Sequence, residues 1–334
     1  MIIRLLPVRF LIAILLFLPL LCAGQIYTEE TFFSRLKNDG QIAEELLSKR
    51  SVVLHSYTLT PKEISTIHES LIKTGIDAVA YFTLDGVLAG RDVADSYADY
   101  FSKREINNLV IIQKSTSAFI ITITAFNGKP DFVSVGQLSW SASSSSLSDV
   151  LATVYRTALA SNKKKNLLIN DISETGLPVR VIDGQRAENF AYDLKVDMLA
   201  VPKFNDAELD TALAQIAKKY PLRYQLVDYT IPEKDLRSKG FLYVLRFVNT
   251  RCNMAKELLG YSVKPSESAF VSVTYPNGQV QLKTIPANTP VFKFYVRQID
   301  SGNVFLGGKW DADTTWQQAL LNYIKGFKID LKIE

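Results

Sequence analysis

The sequence is poor in histidine, which limits its metal and acid–base chemistry. Only two of the 334 residues are histidines, His55 on a predicted strand and His68 on a predicted helix. Zinc sites use three or four protein ligands, and no third histidine, cysteine or acid stands at ligand spacing from these two. A metal site shared by the two histidines is one interpretation. The sequence favours the other, in which each is a hydrogen-bonded structural residue.

Cysteine is equally scarce. Cys22 lies in the N-terminal segment, so the remaining chain holds only Cys252 and no internal disulfide. In the stretch NTRCNM, Cys252 follows a predicted strand and begins a helix beside Arg251, and a helix N-terminus and a cation both favour thiolate. Because no flanking sequence resembles a cysteine-enzyme signature or supplies a base, we expect a buried small hydrophobic side chain and not a nucleophile.

Long apolar runs are absent except at the N-terminus. FLIAILLFLPLL (10–21) follows two arginines and precedes small residues, an order typical of a secretory signal peptide. The run is shorter than the ~20 residues that span a bilayer. We predict a signal peptide over 1–24, cleaved near Gly24 and Gln25, and no transmembrane segment in the mature chain. A membrane anchor and a lipoprotein processed at Cys22 are the alternatives.

The sequence also contains no N-x-Ser/Thr glycosylation sequon. An exported protein with neither a disulfide nor a sequon is more typical of a bacterial envelope than of a eukaryotic secretory pathway. We therefore expect a periplasmic or extracellular protein.

A strong excess of charge is missing as well. The formal net charge is +4, and the only notable basic run is KKK at 163–165. Nucleic-acid binding usually requires a basic face interleaved with aromatic residues. We therefore predict no nucleic-acid partner and interpret the lysine run as a solvated loop.

Motifs for cofactors and for serine catalysis are absent too. No G-x-S-x-G occurs. LDGVLAGRD (84–92) places Gly86 and Gly90 between a predicted strand and a helix, where anions bind to helix N-termini. The stretch lacks the third glycine of the dinucleotide fingerprint and the Lys-Ser/Thr of a phosphate loop. We interpret both glycines as turn residues and predict no cofactor.

What the sequence does contain is alternating strand and helix signals. TPKEISTIHESLIKTG (60–75) has Thr60 as N-cap, Pro61 at the first helical position, Glu63 to complete a capping box and Gly75 to end the helix. Apolar strands precede and follow it, and Pro276-Asn277-Gly278 predicts a hairpin. We predict a mixed α/β fold with two strand–helix–strand units, antiparallel hairpin additions and a C-terminal helix.

The predicted elements divide into two halves. The first, 25–165, is an α/β unit that begins with a helical stretch over 29–49, in which Gly40 is a potential break, and contains a β-meander. The second, 166–334, is an α/β unit with hairpins and the terminal helix. Its stretch from 195 to 231 repeats the strand–cap–helix–strand order of the first half, with Asn205 in the place of Thr60. Such units also recur in unrelated proteins, so the sequence leaves duplication open.

GGKWDADTTWQ (307–317) is the most distinctive acidic stretch. Asp311 and Asp313 stand one residue apart before the last predicted helix and are candidate ligands of a metal ion. The alternative is that Thr314 and Gln317 form a capping box and the two aspartates complement the helix dipole. The sequence favours this alternative, because no nucleotide-binding unit precedes the pair.

Aromatic residues are plentiful, and those of the C-terminal strands are candidates for binding a partner. They are Tyr275, Phe292, Phe294 and Tyr295. Alternate residues of a strand face the core, so we expect some of the four to be buried. Those that remain exposed would form a surface of the kind that dominates protein interfaces.

Three functions remain open. The first is an exported, non-enzymatic envelope protein that recognises a protein or a surface component. The second is an exported hydrolase that uses carboxylates, with or without the assistance of a metal ion, and the third is a periplasmic small-molecule carrier. A broad exposed aromatic patch without a pocket favours the first, a deep pocket with converging acids the second, and an enclosed apolar cavity the third.

Overall fold

The computed structural model describes residues 28–161 and 163–333. The predicted signal peptide and its cleavage site lie outside the described residues. Most of the described strands form two six-stranded mixed sheets, A and B. The strands of sheet A are β1 (Leu36–Asn38), β2 (Arg50–His55), β3 (Asp77–Thr83), β4 (Ile106–Lys114), β5 (Phe119–Ala125) and β6 (Gln137–Ser144).

Sheet B uses the second half of the chain, which also carries a separate hairpin. Its strands are β7 (Arg186–Ala187), β8 (Leu199–Pro202), β9 (Tyr224–Val227) and β10 (Tyr243–Arg251), then β13 (Pro290–Gln298) and β14 (Val304–Phe305). The hairpin, β11 (Ala269–Thr274) and β12 (Gln281–Pro286), is inserted between β10 and β13. The turn Pro276–Gly278 connects its strands, as the sequence predicts.

The helices alternate with these strands. They are α1 (Glu29–Phe33), α2 (Pro61–Thr74), α3 (Leu84–Val87), α4 (Arg91–Lys103), α5 (Leu147–Ser161), α6 (Ala207–Ala217), α7 (Glu233–Ser238), α8 (Cys252–Leu258) and α9 (Trp316–Asp330). The predicted mixed α/β class, with antiparallel additions and a C-terminal helix, is confirmed. In the described part of the chain, no helix has the length and apolar character needed to cross a membrane.

The two sheets have the same topology. The strand order is β1-β6-β5-β4-β2-β3 in sheet A and β7-β14-β13-β10-β8-β9 in sheet B. Each neighbouring pair also has the same direction: the outer pair β1 and β6 is parallel like β7 and β14, the next two pairs are antiparallel, and the last two are parallel. The second half of the described chain is therefore a structural repeat of the first, with one hairpin inserted.

Helices cover the sheets in layers. On sheet A, α2 and α5 pack against one face, and on sheet B, α6 and α9 pack against the outer face. Between the sheets lie α3, α4 and α8, and one hydrophobic core there includes residues of both halves. Because both faces are covered, β2 is buried from Ser51 to His55. The predicted division into domains at residue 165 stays a prediction.

The capped helix α2 follows the sequence closely. The backbone N–H of Glu63 donates to Thr60 Oγ1 at 3.3 Å, and the N–H of Thr60 donates to Glu63 Oε2 at 2.7 Å. Gly75 ends the helix with a φ of 97°, a left-handed conformation that glycine adopts without steric strain. The capping box and the terminating glycine are thus confirmed.

Two of the sequence predictions are wrong in their details. A helix over 29–49 does not form: α1 ends at Phe33, and β1 pairs with β6, because the edge of sheet A supplies backbone partners that outweigh local helix propensity. The helix after β8 is capped by Asp206, whose carboxylate accepts from two backbone N–H groups. The predicted cap, Asn205, adopts a left-handed φ of 58° instead.

Candidate functional site: a cleft at the carboxyl ends of the parallel strands

A cleft of about 690 Å³ opens at the carboxyl ends of β2 and β3. Sheet A contributes His55 and Thr83, and Tyr97 projects from α4. The loop 173–179 and α8 complete the walls. We call this site the carboxyl-end cleft. Its volume lies within the ~300–1,000 Å³ typical of small-molecule sites.

The chain topology explains why a cleft forms there. β3 and β4 lie on opposite sides of β2, with α2 on one face of the sheet and the α3–α4 connection on the other. The chain therefore leaves the carboxyl ends of these strands in opposite directions. In open α/β sheets, ligands bind in the crevice that such a reversal leaves.

His55 provides a neutral acceptor in the cleft. It is the last residue of β2 and is 8% exposed, and its Nδ1 lies 2.9 Å from the carbonyl oxygen of Ser56. A carbonyl can only accept, so Nδ1 carries the hydrogen and Nε2 keeps its lone pair. Burial lowers the pKa of His55 below its ordinary value of 6.5. The imidazole is therefore neutral at pH 7.

An ion pair next to His55 links the two repeats. Asp85, in α3, accepts from Arg251 Nε at 2.7 Å and from Thr250 Oγ1 at 2.8 Å. The guanidinium of Arg251 also lies 4.3 Å from the ring centroid of Tyr57. Arg251 ends β10 of sheet B, so this pair joins the carboxyl ends of the parallel strands of both sheets. The charge of Arg251 is compensated within the protein.

Aromatic rings form much of the wall. Phe82 and Tyr97 meet edge to face with ring centroids 5.0 Å apart. The Tyr81 hydroxyl lies 2.8 Å from Nδ1 of His68 on α2. Burial lowers the pKa of His68. His68 thus fixes a wall residue, as expected of a structural histidine.

Gly86 sets the distance between two walls of the cleft. A Cβ atom at this position would lie 2.8 Å from Thr83 Oγ1 and 3.3 Å from Met254 Sδ. Glycine therefore lets α3 approach α8 closely. The Thr83 hydroxyl is buried and has no hydrogen-bond partner among the described residues.

Glu257 is the one carboxylate among the described residues that line the cleft. It is an exposed residue of α8. Within residues 28–161 and 163–333 no lysine or arginine forms an ion pair with it. Its negative charge is therefore available to a ligand.

The stretch 307–317 lies elsewhere and fastens the inserted hairpin to sheet B. Asp313 N donates to the carbonyl of Phe292, whose own N–H donates to the Asp313 carbonyl. Ser272 Oγ of β11 donates to the carbonyl of Ala312 at 2.6 Å. The predicted capping box is wrong, because the N-cap is Thr315 and its side chain makes no capping hydrogen bond.

Each aspartate of this stretch is paired with a lysine. Asp311 accepts from Lys293 Nζ at 2.5 Å, and Asp313 accepts from Lys283 Nζ at 2.7 Å. Burial raises the pKa of Asp311 and lowers the pKa of Lys293, and the attraction between the two opposes both shifts. Among the described residues no group of three histidine, cysteine or acidic side chains is placed to hold a metal ion. The metal assignment of Asp311 and Asp313 stays a prediction without structural support.

The four candidate aromatics do not form one surface. Phe294 and Tyr295 are each 2% exposed and face opposite sides of β13. Phe292 is partly buried against the outer core. Tyr275 is partly buried at the end of the hairpin, where its N–H donates to Asn322 Oδ1. Only Phe292 and Tyr275 retain exposed area for a partner.

Cys252 is buried at the start of α8. Burial raises its pKa to about 11, so the thiol is protonated at neutral pH. This placement agrees with a small hydrophobic residue, and Cys252 does not line the carboxyl-end cleft.

No protein-family model matches the chain, and no curated protein shows significant similarity to it. Function must therefore be inferred from the residues of the site. The sequence prediction missed the cleft because its walls come from four separate stretches, the first near His55 and the last near Glu257. One signal was available: His55 and Thr83 end adjacent parallel strands, where α/β proteins place their ligands.

Proposed function

We propose that this protein is an exported, non-enzymatic binding protein of a bacterial envelope, and that the carboxyl-end cleft takes up a small, mainly apolar molecule. The observation that carries the proposal is the cleft itself, with aromatic and aliphatic walls and a few polar groups. Small-molecule sites have this composition. Of the functions considered from the sequence, this is the small-molecule carrier.

The polar groups of the cleft favour binding over hydrolysis. Glycoside hydrolysis by carboxylates requires two acids that face each other across the substrate. Among the described residues, Glu257 is the only acid in the lining, and Asp85, whose charge lies near His55, is held by Arg251 and Thr250. Cys252 is buried and protonated. A hydrolase therefore has less support than a carrier.

The proposed export rests on the N-terminal pattern alone. Its test is N-terminal sequencing of the protein purified from its native cells, combined with fractionation of the envelope. A mature chain that begins at Gln25 in an extracytoplasmic fraction is the expected result. An uncleaved chain in the cytoplasm would refute the export.

Binding in the cleft can be tested with N-phenyl-1-naphthylamine, a neutral apolar dye that fluoresces when it leaves water. We expect saturable binding to the wild-type protein and at least roughly tenfold weaker binding to Leu177→Trp, because the larger ring fills the cleft. Leu282→Trp is the matched control, since Leu282 is 72% exposed on the inserted hairpin and does not line the cleft. Equal affinity of the two variants would overturn the assignment of the site.

A second candidate function, recognition of a protein partner by strand addition, is favoured by the edge of β9. The N–H of Leu199 donates to the carbonyl of Arg223, and the N–H of Lys203 to that of Val227. Successive residues of a strand direct their backbone groups to opposite sides, and Arg223 and Val227 bond on the side of β8. The N–H and C=O groups of Tyr224 and Leu226 therefore point away from the sheet. In the described chain no backbone group pairs with them.

The first repeat shows how such an edge is covered. There, the N–H of Tyr81 in the equivalent edge strand donates to the carbonyl of Glu174, and Thr175 forms a parallel bridge. An extended segment of a partner would occupy the same place beside β9. Cross-linking in native envelopes tests this: a protein recovered with the wild type and lost with Leu226→Pro supports strand addition. Recovery with both refutes it.

A further inference from the structure

We infer that the carboxyl-end cleft selects organic amines, molecules with an apolar body and a cationic group, over carboxylates of the same shape. This inference deepens the proposed function and rests on it. Two residues of the lining carry hydrogen-bond acceptors: His55, whose Nε2 keeps its lone pair because Nδ1 donates to Ser56, and Glu257, whose ionised carboxylate can only accept. A ligand that satisfies them must donate hydrogen bonds.

The lining offers no positive charge to an anion. Neither lysine nor arginine is among the described residues that line it. The nearby Arg251 guanidinium is paired with Asp85 at 2.7 Å and stacked on Tyr57. On α8, Lys256 is turned toward other rings, with its ammonium 4.6 Å from the centroid of Trp310. A carboxylate in the cleft would meet Glu257 without a compensating cation.

The amino end of α2 is a further potential anion site, and it is already occupied. Glu63 Oε2 accepts from the backbone N–H and the hydroxyl of Thr60 at 2.7 and 2.9 Å. Lys114 Nζ donates to the same carboxylate at 2.7 Å. The helix dipole and the lysine are therefore both compensated within the protein, although Pro61 of this turn lines the cleft.

The aromatic walls add a second preference for cations. Tyr81, Phe82 and Tyr97 all line the cleft. The face of an aromatic ring attracts ammonium groups within ~6 Å of its centroid. The same kind of interaction occurs within the protein: Lys256 Nζ lies 4.9 Å from the ring centroid of Tyr261 and 5.1 Å from that of Phe270. An amine beside these walls gains from both the rings and Glu257.

Three probes with one ring system test the inference: 1-naphthylmethylamine, 1-naphthalenemethanol and 1-naphthoate, which are cationic, neutral and anionic at pH 7. Dissociation constants are measured by displacement of N-phenyl-1-naphthylamine and checked by calorimetry. We expect the amine to bind roughly tenfold more tightly than the carboxylate, with the alcohol between them. Equal affinities, or tightest binding of the carboxylate, would overturn the inference.

Matched variants assign the preference to Glu257. Because Glu257 is exposed, Glu257→Gln should weaken amine binding about two- to fivefold and leave the alcohol unchanged. Glu208→Gln, on the exposed first turn of α6, should change neither. If no probe and no dye binds, the proposed function fails. If all bind without regard to charge, only the amine selectivity fails.

Discussion

Replacing Lys293 with methionine should destabilise the protein strongly. The side chain of Lys293 is fully buried, and its ammonium donates to Asp311 and, at 2.6 Å, to the carbonyl of Leu306. Methionine retains most of the stem but leaves a buried carboxylate without its cation. Removing one partner of a buried ion pair costs about 3–5 kcal/mol. The unpaired Leu306 carbonyl accounts for about 1–3 kcal/mol of the loss.

Urea unfolding followed by tryptophan fluorescence measures this loss, because Trp310 is adjacent to Asp311. The control is Lys103→Met: Lys103 forms a 2.7 Å pair with Asp99, but the two side chains are 75% and 59% exposed. Solvent screens an exposed pair of this kind, so Lys103→Met should change the urea midpoint very little. The double variant Lys293→Met with Asp311→Leu should recover most of the stability, since an apolar pair of similar volume avoids the buried charge.

The pH dependence gives an independent check. Burial raises the pKa of Asp311 in the folded state above its ordinary value of 3.8, and loss of the Lys293 ammonium raises it further. Because the pKa of Asp311 is higher in the folded than in the unfolded protein, this group favours folding at a pH below its unfolded-state pKa. That contribution to stability is lost as the pH rises through the folded-state pKa. The difference in urea midpoint between wild type and Lys293→Met should therefore be larger at pH 8 than at pH 5. A variant no less stable than Lys103→Met, or a double variant no better than the single one, would refute the reasoning.

Three further predictions concern local structure. Thr60→Ala should lower the free energy of unfolding by about 0.5–2 kcal/mol because it removes a capping box, whereas Thr315→Ala should have little effect, since Thr315 makes no side-chain cap. Gly90→Ala should cost about 1–3 kcal/mol or more, because φ is 151° and the new Cβ would lie 2.5 Å from the Phe247 carbonyl oxygen. Cys252 should resist thiol reagents at pH 8 in the folded protein, as its pKa is raised to about 11, and should react on unfolding.

Urea denaturation compares Thr60→Ala with Thr315→Ala, and equal losses would contradict the role of the cap. Gly128→Ala is the comparison, because Gly128 also has a positive φ, 74°, but open space around the new Cβ. If Gly90→Ala lowers the free energy of unfolding no more than Gly128→Ala does, the predicted clash with the Phe247 carbonyl does not occur. Rapid labelling of native Cys252 would show that the thiol is accessible.

The sequence predicted elements whose determinants are close together in the chain. The cap of α2 lies three residues from the acid that completes it, and Gly75 follows the helix directly. Hairpin turns are equally local. The same reasoning failed for 29–49, because β1 is stabilised by β6, about one hundred residues away along the chain. The capping box predicted at Thr314 also does not form, because the preceding residue, Asp313, is held by backbone hydrogen bonds to Phe292 and by the ammonium of Lys283.

By itself, the sequence determined the mixed α/β class, the order of most elements and the scarcity of histidine and cysteine chemistry. These properties depend on composition and on neighbours within a turn or a strand. Only the tertiary structure decided that the two sheets repeat one topology, that Asp311 is paired with Lys293, and that His55 and Glu257 line one cleft. Each of these contacts joins residues far apart in the chain, and their meeting depends on how the sheets and helices pack.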